Sequence, residues 1–214
     1  ERIGIELFRT DGVTTELVLD ADDGDESSVP AQLTIFRGDL YFMAEVPLPP
    51  FNADFAAHLY RVDATTGEVE RFFADPVDIT EPLTIVGDTM YFAGGGEDTG
   101  IEVYRTDGTP AGTRLVIDAL PGPDSSRPQN FFALGDQLFF SAGDRFEPGA
   151  NRVFHQIWVT QGTSTSTAKL SPDLIDPTTP FLDYRDEVYF LANTPDNGWE
   201  LHKTDGTAAG TGLV

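Results

Sequence analysis

The sequence predicts an all-β fold, a propeller-like array of four-stranded antiparallel blades with about 50 residues to a blade. Three observations carry that prediction. An aromatic-rich segment recurs at a nearly constant period, each period breaks into short β-type stretches separated by turn residues, and no window of helical length carries an apolar stripe.

The recurrence is clearest in Pro82-Leu83-Thr84-Ile85-Val86-Gly87-Asp88-Thr89-Met90-Tyr91-Phe92-Ala93. Its relatives are the segments 33–44, 132–142 and 181–192, each closing on a pair of aromatic residues. The pairs begin at Tyr41, Tyr91, Phe139 and Tyr189, giving steps of 50, 48 and 50. Within one period, 82–86 and 89–94 read as a hairpin around Gly87-Asp88. The stretches 101–106 and 113–118 read as a second hairpin around 107–112. Aromatic and β-branched residues fill the strands, and Gly, Asp, Pro and Thr fill the turns. The expected division is an N-terminal half-blade over 1–32, then units over 33–81, 82–130, 131–180 and 181–214. A half-blade lacks inner partners and leaves an edge, so the chain is expected to be a fragment of a larger protein.

A second period lies above the first. Gly4-Ile5-Glu6-Leu7-Phe8-Arg9-Thr10-Asp11-Gly12 returns at Gly100–Gly108 and at Gly198–Gly206, steps of 96 and 98. The intervening units carry degenerate versions, His58-Leu59-Tyr60-Arg61-Val62-Asp63 and Gln156-Ile157-Trp158-Val159-Thr160-Gln161. Loops between second and third strands are expected to alternate between long and short, the long ones at 45–57 and 143–155.

The run Glu102-Val103-Tyr104-Arg105-Thr106-Asp107-Gly108-Thr109-Pro110-Ala111-Gly112-Thr113, continued by Leu115-Val116-Ile117-Asp118, Pro121-Gly122 and Ser125-Ser126-Arg127-Pro128, resembles the ELWxxDGT repeat family. The likeness covers nearly the whole chain, with Glu200–Val214 as another good copy. It departs from the family pattern at His202, at Val13, and in the even units, which lack Asp-Gly-Thr. The resemblance implies propeller-like repeats in large secreted or surface-attached bacterial proteins, hence an extracellular or cell-surface location.

Composition narrows the function classes. The chain has 36 acidic and 13 basic residues, a formal net charge of −23. Such a surface repels nucleic acid, whose phosphates need clustered Lys and Arg. It attracts divalent cations and basic partners. No stretch approaches the length of a membrane span, so membrane insertion is not expected. The absence of cysteine excludes disulfides and thiolate metal sites.

Candidate sites are weak against this repeated background. Asp20-Ala21-Asp22-Asp23-Gly24-Asp25-Glu26 is the densest acidic loop, and Asp20, Asp22, Asp23 and Asp25 could supply oxygens to Ca2+. The glycine is misplaced for an EF-hand, so a solvated loop is the competing reading. His58, His155 and His202 stand at non-equivalent places and do not suggest zinc. Arg37-Gly38-Asp39 spells an adhesion triplet, yet its counterparts Val86-Gly87-Asp88 and Leu134-Gly135-Asp136 mark it as a hairpin turn. The expected long loops carry Phe51, Phe55, Phe146 and Phe154, which either stack on a ligand or partner or fold back over the core.

No spacing singles out a carboxylate pair, so no catalytic residue is nominated and the chain is expected not to be an enzyme. No cofactor beyond Ca2+ is expected. The leading reading is a structural or interaction module in adhesion or surface assembly, with other chains or other repeats of the same protein as partners. The alternative is a lectin-like propeller that binds glycans through loops between blades.

Overall fold

The computed structural model describes residues 4–21, 27–47, 55–147, 152–171, 180–194 and 198–214. The fold is all-β and propeller-like. A two-stranded hairpin, β1 (Leu7–Thr10) with β2 (Thr15–Leu19), precedes four sheets of four strands. The first sheet is β3 (Ala31–Phe36), β4 (Asp39–Pro47), β5 (Phe55–Val62) and β6 (Val69–Arg71). The second is β7 (Thr84–Val86), β8 (Thr89–Gly94), β9 (Glu102–Thr106) and β10 (Arg114–Ile117). The third is β11 (Gln129–Leu134), β12 (Gln137–Glu147), β13 (Arg152–Thr160) and β14 (Ala168–Lys169). The fourth is β15 (Leu182–Tyr184), β16 (Glu187–Thr194), β17 (Gly198–Thr204) and β18 (Gly212–Leu213). Strand order in every sheet follows chain order, and every pairing is antiparallel. Among the described residues the only helical element is the 3-10 turn Ser164–Ser166. Two compact units divide the chain, residues 1–83 and 84–214.

The aromatic pairs explain why the sheets stack. Neighbouring residues of a strand point to opposite faces, so each pair sends one ring forward and one back. In residues 84–214, Tyr91 packs forward with Ala93 and Val103 against Leu138, Phe140 and Trp158 of the next sheet. Phe139 likewise faces forward with Ile157 and Val159, against Val188, Phe190 and Ala192. Phe140 and Phe139 are 0% and 1% exposed, so β11–β14 is filled on both faces. In residues 1–83 the same rule places Leu7 of the hairpin against Phe42, Ala44 and Tyr60. Full burial of one such ring contributes about 2–3 kcal/mol, which makes these seams the main source of cohesion.

Turn chemistry joins the third and fourth strands. Thr106 Oγ1 accepts from the Gly108 amide at 3.0 Å, and Asp107 accepts from the Thr109 amide and hydroxyl at 3.0 and 2.7 Å. Thr204 and Asp205 repeat the pattern on Gly206 and Thr207. The degenerate units keep the physics with altered residues. Asp63 accepts from the amides of Thr65 and Thr66, both at 2.8 Å, and Thr160 accepts from Gly162 at 2.9 Å. Gly162 has φ of +92°, and a Cβ there would meet Arg105 Nη1 at 2.5 Å and Tyr91 Oη at 2.7 Å in the preceding sheet. The glycine thus serves both the left-handed turn and the close approach of two blades.

Two local expectations are corrected. The expected loop 143–155 is mostly strand: β12 runs to Glu147 and β13 starts at Arg152, with Gly143 opposite His155 and Phe146 opposite Val153, and in the expected loop 45–57 residues 45–47 and 55–57 are strand. The alternation therefore lies in the hairpin's own length. β4 and β12 have 9 and 11 residues, whereas β8 and β16 have 6 and 8. The second correction concerns Gly-Asp. The first-sheet turn is Arg37-Gly38, φ +53° and +95°, and Asp39 is already in β4. In the second and third sheets Gly87-Asp88 and Gly135-Asp136 are the turn itself. A two-residue loop with left-handed backbone can be filled by either arrangement, so the shared letters sit one register apart.

Candidate functional site

One position recurs in every repeat, and in two repeats its glutamate builds a joint between sheets. Glu6, His58, Glu102, Gln156 and Glu200 occupy the same place, on the rear face of the third strand. Glu102 is 0% exposed, and its carboxylate accepts from the Ala119 amide at 3.1 Å, the Ser126 amide at 3.0 Å and the Ser126 hydroxyl at 2.7 Å. The Ser126 carbonyl in turn accepts from the Gly143 amide of the next sheet at 2.8 Å. A staple thus runs from β9 through the connecting segment into β12. The first repeat has the same staple: Glu6 accepts from the amide and hydroxyl of Ser28, and the Ser28 carbonyl accepts from Glu45 at 2.7 Å. Ser27 and Ser125 add bonds to the backbone of Ile5 and Ile101.

Burial drives the Glu102 carboxyl up to about 7, against the pull of the bonds from Ser126 and Ala119, with nearby Asp118 adding to the rise. A carboxyl with a raised pKa is often a sign of chemistry. Here it has no solvent access, and its bonds go to the joint between blades.

In the degenerate units the same position is neutral or basic. His58 meets Arg71 Nη2 at 2.6 Å and the Asp75 carbonyl at 3.3 Å, while burial and then Arg71 lower its pKa. Gln156 is buried, and its Oε1 has no hydrogen-bond partner among the described residues. His155 precedes it on the other face, also buried. Desolvation and then Arg127 push its pKa down to about 4. His202 takes the position of Tyr104 and stacks on Phe190 at 5.8 Å. The three histidines therefore stay apart, and no cluster of His, Asp and Glu able to hold a metal occurs among the described residues.

The remaining sequence candidates scatter. Asp20 is half-buried after β2, whereas Asp22, Asp23 and Asp25 lie outside the described residues. Phe51 also lies outside them, while Phe55 opens β5 opposite Pro47 and Phe146 stands in β12 opposite Val153. Phe154 is half-buried in β13, and the Arg145 guanidinium sits 4.2 Å from its ring centre. Asp39 of the adhesion triplet pairs with Arg61 at 3.6 Å and accepts from the Ala64 amide at 2.9 Å, so its carboxylate is engaged within the protein. Sequence reading missed the Glu–Ser staple. The signal was present in Glu6 with Ser27-Ser28 and Glu102 with Ser125-Ser126, separated by 22 and 24 residues to the bonded serine.

No family model and no curated protein matches the chain. Solved structures do share its fold. TolB from Acinetobacter baumannii is 16% identical, with a TM-score of 0.44 over 92% of this chain and 44% of its own. An α-L-arabinofuranosidase from Clostridium thermocellum is 14% identical, with a TM-score of 0.37 over 86% of this chain and 70% of its own. A Trypanosoma rangeli sialidase mutant with trans-sialidase activity is 10% identical, with a TM-score of 0.44 over 100% of this chain and 41% of its own. The chain thus spans less than half the length of the TolB and sialidase chains. Similar structures are mostly enzymes, glycoside hydrolases and peptidases among them. That finding corrects the expectation that the chain is not an enzyme, while at such low similarity it assigns no reaction. What the chain shares with these proteins is the blade architecture.

Proposed function

We propose that the chain is an interaction module of the ELWxxDGT kind, acting outside the cell in adhesion or surface assembly as part of a larger exported bacterial protein. One observation carries this reading: the polar residues that recur are used to join consecutive blades. Glu6 and Glu102 hold Ser28 and Ser126, and those serines reach the following sheet through Glu45 and Gly143. A repeat organised around such joints offers its partners broad sheet faces and edges, and its partners are other chains or other repeats of the same protein. The charge of −23 favours solubility in salty surroundings, where screening weakens self-repulsion, and draws Ca2+ to the surface.

The test is location. An antiserum against the purified chain should label intact source cells or detect the protein in the medium. Signal confined to the cytosolic fraction of lysed cells overturns the reading. The glycan alternative draws on the long hairpins of the first and third sheets. Arg145 already stands over the Phe154 ring, which favours a protein partner over a stacked sugar. Saturable binding on a glycan array that disappears with Phe154→Ala would reverse that preference.

A further inference from the structure

Two histidines are buried in the seam between the third and fourth sheets, one from each side. Alternate residues of β13 face the fourth sheet, Ile157 and Val159 among them, and His155 belongs to that row. His202 lies across the seam on the rear face of β17, paired with Phe190 and stacked on its ring. The two are 6% and 8% exposed, and His155 Nδ1 and His202 Nε2 are buried with no hydrogen-bond partner among the described residues. Around them are Phe139, Ile157 and Val159 of one sheet and Val188, Phe190 and Ala192 of the other. The preceding seam, between the second and third sheets, is built differently at the same two positions. Ile101 stands where His155 does and packs in an apolar cluster. Trp158 stands where His202 does, and its indole N–H is bonded to the Ala142 carbonyl at 3.0 Å.

An imidazole fits such a seam only while neutral, because protonation places an unpaired charge in a dry interface. No buried anion faces either ring among the described residues. Arg127, whose charge reaches His155, has the same sign as a protonated imidazole. Asp183 and Glu200 lie on the rear face of the fourth sheet, and both are exposed. We propose that the seam between the third and fourth sheets is an acid-operated release: protonation of His155 and His202 parts β15–β18 from β11–β14 while the seam between the second and third sheets stays closed. Release bares Phe139, Ile157 and Phe190, an apolar surface that the chain hides at neutral pH. Burial and then Arg127 push the His155 pKa from 6.5 down to about 4. The closed seam is therefore held above pH 6.5 and loosens as pH falls to about 4, opening about tenfold more with each pH unit. His202 acts in the same direction from the opposite sheet.

The chain has no cysteine, so a single introduced thiol reports on one seam. Ala192→Cys places it between the third and fourth sheets, and Ala142→Cys places it at the same position between the second and third. Labelling by a dithiodipyridine reagent, which reacts with thiols in acid, is followed between pH 6.5 and 4 and divided at each pH by the rate in concentrated guanidinium chloride. On that scale Ala192→Cys should label at least about a hundredfold faster at the acid end, and Ala142→Cys should change less than about threefold. Adding His155→Leu and His202→Phe, which keep the apolar packing and the ring stacked on Phe190, should remove the acceleration at Ala192→Cys. Should that double variant melt early at neutral pH, His155→Gln with His202→Gln takes its place, since neither side chain titrates. A labelling rate at Ala192→Cys that ignores pH overturns the proposal, as does an acceleration that survives removal of both histidines. Equal acceleration at the two cysteines overturns it too, because the chain would then be opening as a whole.

Discussion

The third and fourth sheets are written in the same repeat, yet one is packed on both sides and the other on one. Trp158 of β13 is 8% exposed and donates its indole N–H to the Ala142 carbonyl at 3.0 Å, whereas Trp199 of β17 is 49% exposed. Glu102 is enclosed by the Ser126 segment, while Glu200, at the same place in the fourth sheet, is exposed. The strands themselves are alike, with the same antiparallel register. What differs is the neighbour. In this architecture burial belongs to the seam between sheets rather than to the sheet.

The largest test of that view compares the two tryptophans. Trp158→Ala should cost about 4 kcal/mol through a cavity and an orphaned carbonyl, while Trp199→Ala should stay within about 0.5 kcal/mol. Urea denaturation of both variants at high dilution measures the contrast, and equal losses would break it. The two glutamates come next. Glu102→Ala strands three donors in a dry joint and should cost about 3 kcal/mol at pH 6, against no more than about 0.5 kcal/mol for Glu200→Ala.

Acidity sharpens the comparison further. In the folded chain the Glu102 carboxyl is raised from 4.5 to about 7, so the folded state holds that proton more tightly than the unfolded state. Its contribution is greatest below pH 4.5 and is lost as pH rises to about 7, a change on the order of 3 kcal/mol. His155 has the opposite sign. Its pKa falls from 6.5 to about 4, so stability declines as pH drops from 6.5 to 4. The two slopes oppose each other between pH 4.5 and 6.5. Glu102→Gln should leave stability rising with pH in that window, and His155→Leu should leave it falling. Denaturation midpoints across pH 4.5–7 that do not change slope in Glu102→Gln would contradict the burial of that carboxyl.

The smallest effect concerns the turns. Gly162→Ala combines left-handed strain with a collision against Tyr91 and Arg105 and should cost about 2 kcal/mol. Gly12→Ala has similar strain at φ +89° but open space around its Cβ, and should cost about 1 kcal/mol. Thermal melts of both separate the backbone requirement from the requirement of the seam.

Much of this was legible in the letters. The Tyr91-Phe92 and Phe139-Phe140 pairs announced strands with rings on both faces, because alternation is a local property of extended chain. Asp107 and Asp205 announced their turns, because an Asp side chain caps amides two residues on without help from elsewhere. The candidate site was less legible. Four phenylalanines in supposed loops suggested a binding surface, yet Phe55, Phe146 and Phe154 continue strands. The Glu–Ser staple escaped notice because its partners lie more than twenty residues apart and meet only when one sheet stacks on the next.

The amino-acid sequence by itself determined the period, the hairpins and the two-sided placement of the aromatic pairs, since each follows from backbone alternation and turn preference within a few residues. Tertiary structure alone decided which equivalent residues are buried: Glu102 lies in a closed joint where Glu200 is exposed, and Ile157 is buried where Leu201 is 44% exposed. The reason is that water is excluded by a second sheet, and a strand's own residues do not say whether that sheet is there.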